Sequence, residues 1–294
     1  MAGNLTKTKR RIASIRSTKK ITKAMEMVAS VKLKRFKNAH ENGLNYVKEL
    51  EQQMAYLCHA EADLFNNKGI GHISHYQKEN TNAKGNLYIL VTSDLGLCAG
   101  YNSNLFRFLE ENFDKEVDTL APIGNKGVTH YQREGGYDIN PFLSDIGLSV
   151  ERNDILNRCK KIKDDFNAEK YKKVILVYTE YRNSISFLPK METLLPLSIE
   201  LEEKEYRTYA PELLEDTPNA LLHRFLPTYL YAKIRATLVE SQLSEQASRR
   251  NAMENANDNA DELLNKLTID YNKARQTAIT QEITEVVSGS ANSN

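Results

Sequence analysis

The feature that most constrains this fold is a long stretch near the C-terminus without helix-breaking residues. Residues Thr228 to Ser288 contain neither glycine nor proline. Such a run predicts one continuous helix. At about 1.5 Å of rise per residue this helix would be about 90 Å long, several times the diameter of a small domain. A helix of that length cannot be buried in the core of its own chain.

The apolar positions near the end of this stretch form a narrow seam. They recur at alternating spacings of four and three residues: Ala260, Leu264, Leu267, Tyr271, Ala274 and Ala278. This spacing is typical of a coiled coil, whereas the helices on the surface of a globular domain have a broader apolar face. The seam therefore predicts one partner helix.

The N-terminal region supplies that partner. No proline precedes Pro122, so a helix can run from about Leu5 to the mid-60s, and Gly43 weakens it by only about 1 kcal/mol relative to alanine. The residues on a helical period in this region are apolar or small: Ile21, Met25, Val28, Phe36, Ala39, Val47, Leu50, Met54 and Leu57. We expect the two terminal helices to pack antiparallel.

The middle of the chain has a different pattern, in which short apolar runs alternate with short helical patterns. Strands are predicted over 87–92, 119–123 and 174–178, with an edge strand over 187–197, and helices over 102–115, 126–134 and 151–166. Residues 66–85 are expected to form a loop and 200–218 a linker, with Pro227 in the first turn of the last helix.

The predicted fold class is therefore α/β, with a long antiparallel coiled coil of the N- and C-terminal helices and an inserted Rossmann-like parallel-sheet domain. The expected division is 1–66 for the first helix, 67–218 for the α/β domain with its flanking linkers, and 219–294 for the last helix.

Composition limits the cellular setting. In 294 residues, 40% of them hydrophobic, there is no apolar run long enough for a membrane span and no secretory signal. Cys58, Cys98 and Cys159 lie far apart without a CxxC pair, which favours a reducing compartment and argues against disulfides or a thiolate zinc site. We therefore expect an intracellular protein.

Residues 1–40 form a basic arm, with twelve lysines and arginines against the single acid Glu26. A mitochondrial transit peptide, a nucleic-acid patch and a solvated basic helix face are the alternatives. The helical pattern continues past Glu26, which argues against a transit peptide. No aromatic residue precedes Phe36, which argues against base stacking.

The sequence contains no catalytic constellation. The turn from Asp94 to Gly100 follows the first predicted strand, where a doubly wound sheet would hold a nucleotide, but neither GxGxxG nor GxxxxGK[ST] occurs. His72 and His75 are close enough to share a metal, yet no third ligand is evident nearby. We therefore predict no catalytic residues, no cofactor and no metal.

The asparagine-rich stretch 251–259 has mediocre helix propensity. A kink or a frayed segment is one interpretation. The interpretation we favour is that the small residues Ala252, Ala256 and Ala260 allow a partner surface to pass close to an intact helix.

Three segments resemble the gamma subunit of the rotary F-type ATP synthase: 21–30 (ITKAMEMVAS), 244–253 (SEQASRRNAM) and 272–289 (NKARQTAITQEITEVVSG). The resemblance extends from residue 1 to about 290 and is looser in the middle. Within 92–100 the chain has Leu95 where the family usually has a basic residue, and Ala99 where it usually has glycine.

The resemblance implies a central-stalk rotor that transmits torque between a proton-driven membrane ring and the nucleotide sites of the alpha/beta hexamer, without catalytic activity of its own. The implied partners are the alpha and beta subunits, the epsilon subunit and the membrane c-ring, with no nucleic acid and no small-molecule substrate. The implied location is the cytoplasmic face of the cell membrane, as a peripheral part of the complex. The implied ring-contact residues are Lys9, Arg10, Lys20, Lys23, Met25, Arg249, Arg275, Gln276, Thr280, Glu282, Val286 and Val287.

Two other functions stay open at this point. One is the rotor of a hydrolysing F1-like motor that is not coupled to protons. The other is a nucleotide-dependent α/β enzyme with a coiled-coil arm. A basic-armed scaffold that binds nucleic acid is a third, weaker alternative.

Overall fold

The structure is a computed structural model that describes residues 2–66, 75–144, 150–198 and 216–291. The chain divides into two compact units, Lys32–Ser248 and Met1–Val31 with Arg249–Asn294. Two long helices run through both units, α1 (Ala2–Asn66) and α6 (Pro218–Ala291).

The unit Lys32–Ser248 contains a five-stranded sheet. Its elements follow one another as a short 3-10 helix (His75–Gln77), β1 (Leu87–Val91), α2 (Tyr101–Glu110), β2 (Thr119–Ile123), α3 (Asn125–Glu134), β3 (Asp138–Ile139), α4 (Pro141–Ser144), α5 (Arg152–Asn167), β4 (Val174–Tyr181) and β5 (Phe187–Leu195). The strand order is β3-β2-β1-β4-β5, parallel except for the antiparallel pair β4–β5. This confirms the predicted Rossmann-like domain.

The central strand β1 is buried on both faces, as expected for a parallel sheet covered by helices. Leu87, Ile89 and Val91 belong to a core that also contains residues of α1, α5 and α6. Tyr88 and Leu90 point to the opposite face and pack with residues of α2 and α3. The alternation of side chains along one strand thus separates the two cores.

Two glycines set the packing at the end of β1. A Cβ on Gly124, whose φ is 92°, would lie 2.3 Å from the carbonyl oxygen of Thr92, and one on Gly127 would lie 2.8 Å from its Oγ1. The Thr92 hydroxyl donates to Ile123 O at 2.8 Å and accepts from Gly127 N at 2.9 Å. Glycine at both positions lets β1, β2 and α3 approach this closely.

The structure corrects several sequence predictions. The last helix begins at Pro218, so Pro227 lies inside it and not in its first turn. Thr217 caps the start of this helix, because its Oγ1 accepts a hydrogen bond from Ala220 N at 3.3 Å. Pro218 suits the first helical position because proline has no backbone N–H that would need a partner there. The strand β3 and the helix α4 were not predicted, because two- and four-residue elements have too few positions to show a period. Residues 75–85 of the predicted loop 66–85 are described and include the short 3-10 helix His75–Gln77. Residues 67–74, which include His72, and most of the linker 200–218 fall outside the described residues.

In the unit Met1–Val31 with Arg249–Asn294, the two helices pack antiparallel. All six predicted seam residues of α6, from Ala260 to Ala278, are half-buried, and most of the residues between them are exposed. The facing residues of α1 follow the seven-residue repeat of a coiled coil: Ile12, Ile15, Thr22, Glu26 and Ala29.

The predicted face of α1 is wrong in this unit. Ile21 and Val28 are 60% and 55% exposed. The side of α1 that meets α6 includes Thr22 and Glu26, so a search for apolar residues alone selected the neighbouring positions.

The asparagine-rich stretch is an unbroken part of α6. The alternative of a frayed segment is therefore wrong.

Candidate functional site: a helix joint and an exposed helical surface

Within Lys32–Ser248, helix α6 is joined to the sheet by serines on one of its faces. Ser244 Oγ donates to Thr179 O on β4 at 3.1 Å, and Ser248 Oγ donates to Cys98 O at 2.7 Å. The hydroxyls of Ser241 and Tyr101 lie 2.5 Å apart, and the Tyr101 hydroxyl also donates to Ser241 O at 3.1 Å. All three serines are buried. These bonds fix both the rotation and the axial position of α6 against the sheet.

An ion-pair cluster links three elements about two helical turns before Ser241 on α6. Lys233 Nζ lies 2.7 Å from Glu51 Oε1 of α1 and 2.5 Å from Glu192 Oε1 of β5. Its side chain is 16% exposed. Burial disfavours the charge of Lys233, but the hydrogen bonds to Glu192 and Glu51 outweigh it, and the net effect raises the pKa of the ammonium.

Glu240 completes the joint. Its Oε1 accepts a hydrogen bond from Tyr181 N at 3.1 Å. Burial raises the pKa of the Glu240 carboxyl to about 7, and the bond from Tyr181 opposes that rise only in part. Glu240, Ser241, Ser244 and Ser248 recur at helical spacing, and this stripe on one helix face is the sequence signal that could have revealed the joint.

The turn after β1 is stabilised by hydrogen bonds to residues of α2 and α3. Asp94 Oδ1 accepts from Asn125 N at 3.0 Å, and Asn102 bonds both the backbone and the hydroxyl of Ser93. Leu97 and Ala99 have positive φ values of 62° and 47°. The polar groups of this turn are thus engaged with neighbouring elements, as expected for a structural turn and not for a phosphate cradle.

Most of the residues assigned to ring contact are exposed on the two long helices. The exposed ones are Lys9, Arg10, Lys20, Lys23, Arg275, Gln276, Thr280, Glu282 and Val286. Met25 is half-buried, and the side chain of Val287 lies outside the described residues. Arg249 differs from the others, because it is only 7% exposed.

Lys23 is paired within its own helix. Its Nζ lies 2.9 Å from Glu26 Oε1, and this hydrogen bond raises the pKa of Lys23 and lowers that of Glu26. In this unit the exposed surface of α1 carries a row of basic side chains, and Glu26 faces α6. The row consists of Lys9, Arg10, Lys20 and Lys23.

The family model described as ATP synthase matches residues 4–292. The "ATP synthase gamma chain" of Desulforamulus reducens is 33% identical over 284 residues, which cover 96% of this chain and 96% of the relative. The chain belongs to the ATP synthase gamma family. It is a non-catalytic subunit, the rotor shaft of an F-type ATP synthase.

Solved structures agree with the fold. A chain of the central stalk and c-ring structure of the Tetrahymena thermophila mitochondrial ATP synthase is 27% identical, with a TM-score of 0.58 over 80% of this chain and 99% of that chain. A chain of the Euglena gracilis mitochondrial ATP synthase (OSCP/F1/c-ring) has a TM-score of 0.66 and 18% identity over 98% of this chain and 93% of that chain. The second match supports the architecture alone.

Family membership decides between the rotor and two of the other functions left open by the sequence. A rotor subunit is favoured over a nucleotide-dependent enzyme and over a nucleic-acid scaffold. Among the described residues, no helix has the length and apolar character needed to cross a membrane.

Proposed function

We propose that this chain transmits torque between a proton-driven c-ring and the nucleotide sites of an alpha/beta hexamer. Its partners would be the alpha, beta and epsilon subunits and the c-ring, at the cytoplasmic face of the cell membrane. The similar structures support this assignment, because they are of a central stalk with a c-ring and of an F1 complex with a c-ring. We keep the division into an N-terminal helix, an inserted α/β domain and a C-terminal helix at residues 1–66, 67–218 and 219–294.

The observation that carries the proposal is the joint between α6 and the sheet. A rotor converts the turning of one end into the turning of the other only if its parts do not slip. Three buried serine hydrogen bonds and the Lys233 ion pairs resist slippage of α6 on β4 and β5. Hydrogen bonds to charged groups contribute about 1.5–3 kcal/mol each, and neutral ones about 1 kcal/mol, so the joint is stable against thermal fluctuation.

The joint is tested in the reconstituted complex by replacing Ser241, Ser244 and Ser248 with alanine together. We expect ATP hydrolysis to continue while proton pumping per ATP falls, because the α/β domain would slip against α6. An equal triple alanine change at the exposed positions Ser103, Thr129 and Asn219 is the control and should leave the coupling ratio unchanged. The proposal would be contradicted if the complex with alanine at Ser241, Ser244 and Ser248 assembled and pumped as many protons per ATP as wild type.

We further propose that the exposed basic row of α1, Lys9, Arg10, Lys20 and Lys23, faces acidic groups of the surrounding hexamer. The other proposed contacts with the hexamer are Met25, Arg249, Arg275, Gln276, Thr280, Glu282, Val286 and Val287. Reversing the four basic charges to glutamate should weaken assembly with alpha and beta, most strongly at low salt, because exposed charges are screened at high ionic strength. The matched control reverses Lys78 and Lys84, which are exposed in the other unit. Equal assembly of both variants at all salt concentrations would refute the assignment.

The alternative of a hydrolysing motor not coupled to protons predicts a different result. The complex purified from its own membranes would then hydrolyse ATP without acidifying vesicles and would contain no c-ring. Copurified subunits and vesicle acidification therefore separate the two functions.

A further inference from the structure

Three side chains on the α2–α3 face of the sheet domain form a cluster of the kind that binds transition metals. His130 and Glu134 are four residues apart on α3, and Glu110 is the last residue of α2. One potential ligand atom from each residue lies within 4.8 Å of the other two. We propose that Glu110, His130 and Glu134 form a binding site for a divalent transition-metal ion, with Zn²⁺ as the best fit.

The distances match one shared ion. His130 Nε2 lies 3.4 Å from Glu134 Oε2 and 3.8 Å from Glu110 Oε1. Zinc bonds of about 2.0–2.2 Å in a tetrahedron hold neighbouring ligand atoms about 3.4 Å apart. Small side-chain rotations therefore bring all three atoms onto one ion, and water from the solvent side completes the tetrahedron.

The imidazole is oriented for this task. Its ring stacks on Phe106 with a centroid distance of 4.1 Å and an interplanar angle of 2°, and Tyr131 packs edge-on against it at 4.8 Å. These contacts fix the ring plane so that Nε2 points at the two carboxylates.

The nitrogen lacks another partner. His130 Nε2 is shielded from solvent and makes no hydrogen bond, because neither carboxylate contact has hydrogen-bond geometry. A shielded polar atom without a partner destabilises the folded chain, and a metal bond would remove that cost. The two carboxylates are 43% and 41% exposed, which leaves a route for the ion.

One imidazole and two carboxylates as ligands indicate which metal ions the site would bind. Imidazole suits zinc, copper, iron and nickel, whereas magnesium and calcium prefer oxygen ligands alone. Lys115 Nζ lies 3.5 Å from Glu134 Oε1 and competes for that carboxylate with the ion. This competition predicts reversible binding rather than a permanent structural zinc.

The test uses the purified full-length chain after removal of metals with a chelator. Zn²⁺ is titrated against a chromophoric indicator, and Co²⁺ is added separately to record its visible absorption. We expect wild type to bind one more equivalent of zinc than His130→Gln, Glu110→Gln or Glu134→Gln. We expect the Co²⁺ spectrum of wild type to lack a thiolate charge-transfer band and to lose its site-specific band in His130→Gln.

Matched controls address other histidines and acids. His75→Gln and Glu111→Gln change exposed residues outside the cluster and should keep the full zinc stoichiometry. Phe106→Leu should keep the stoichiometry but weaken the affinity about 10-fold, since groups that orient a ligand typically contribute 10- to 100-fold.

Equal zinc stoichiometry in wild type and the three cluster variants would overturn the proposal. So would a wild-type Co²⁺ spectrum unchanged in His130→Gln. The exposed change Glu134→Gln keeps the test decisive if His130→Gln fails to fold, because Glu134 ends its helix and buries no core surface.

Discussion

Asn257 on α6 donates a hydrogen bond from Nδ2 to Glu26 Oε2 on α1 at 2.6 Å. Its Oδ1 accepts a hydrogen bond from Thr22 at 2.5 Å, so one amide bonds two seam residues of the opposite helix. The Asn257 side chain is buried, at 5% exposure. A single buried asparagine in a coiled coil typically fixes the register of the two helices. This pairing accounts for one asparagine of the 251–259 stretch; the close passage of a partner past Ala252, Ala256 and Ala260 stays a prediction.

Asn257→Asp tests this pairing. The new carboxylate cannot donate to Glu26 and would face it with a like charge. We expect a loss of about 1–3 kcal/mol in the free energy of unfolding at neutral pH. The loss should shrink as the pH falls and the two carboxyls become protonated. Denaturant unfolding of the full chain measures it.

Asn259→Asp is the matched control, because Asn259 is exposed on the same helix two residues away. It should change stability by less than about 0.5 kcal/mol. Equal effects of the two aspartates would argue that Asn257 is not a register-setting contact.

Lys233 joins α6, α1 and β5, and its removal leaves Glu51 and Glu192 without their shared cation. We expect Lys233→Met to lower the free energy of unfolding by about 2–3 kcal/mol at pH 7. The raised pKa of Lys233 means that its stabilising contribution is fully present below the ordinary lysine pKa and is lost as the pH rises through the folded-state value. At neutral pH the whole contribution is therefore available to measure.

Lys190→Met provides the comparison for Lys233. Lys190 pairs with Glu180 at 2.7 Å, but its side chain is 43% exposed, so solvent screens the pair. We expect a change below about 1 kcal/mol. A larger loss from Lys190→Met than from Lys233→Met would show that burial does not govern these ion pairs.

Glu240 makes the sheet domain sensitive to pH. Its folded-state pKa of about 7 exceeds the ordinary carboxyl value of 4.5, so folding favours the protonated form. Stability should fall as the pH rises from about 4.5 to about 7 and then stay low. Glu240→Gln, which keeps an acceptor for Tyr181 N, should remove this slope and stabilise the chain at pH 8 by about 3 kcal/mol, with little effect at pH 4.5. Calorimetric unfolding of both proteins across this range checks the difference, and parallel pH profiles would contradict it.

The sequence predicted well those parts of the fold in which a period runs over many residues. The seam from Ala260 to Ala278 and the strand Thr119–Ile123 appear in the structure as predicted, because hydrophobic spacing reports burial directly. The same reasoning failed for Ile21 and Val28, because the contact face of α1 there contains Thr22 and Glu26. Their shared partner Asn257 lies 235 residues along the chain from Thr22 and 231 from Glu26.

The site was harder to predict for the same physical reason. Ser244 and Ser248 bond to backbone carbonyls of β4 and of the turn after β1, and Ser241 bonds to the Tyr101 hydroxyl of α2. The spacing of the serines marks a polar face, but it does not identify these distant partners. Glu110 and His130 likewise come together only through the packing of α2 against α3. Pro227 was wrongly placed in the first turn of α6 because a proline suits that position, and only the structure shows that Pro218 occupies it.

Ala99 occupies a backbone conformation that favours glycine. Its φ is 47°, within the left-handed region. The Cβ of a non-glycine residue costs about 1–2 kcal/mol there. Glycine would remove that strain but add flexibility to the unfolded chain, which offsets about 0.4–1 kcal/mol. We therefore expect Ala99→Gly to stabilise the chain by about 0.5–1 kcal/mol.

Ala168→Gly is the control for this change. Ala168 is the cap residue after α5 and has a φ of −79°, where alanine is unstrained. That variant should lose about 0.5–1 kcal/mol from the entropy effect alone. The two glycines thus should shift the midpoint of urea unfolding in opposite directions, and a shift of the same sign in both would show that Ala99 is not strained.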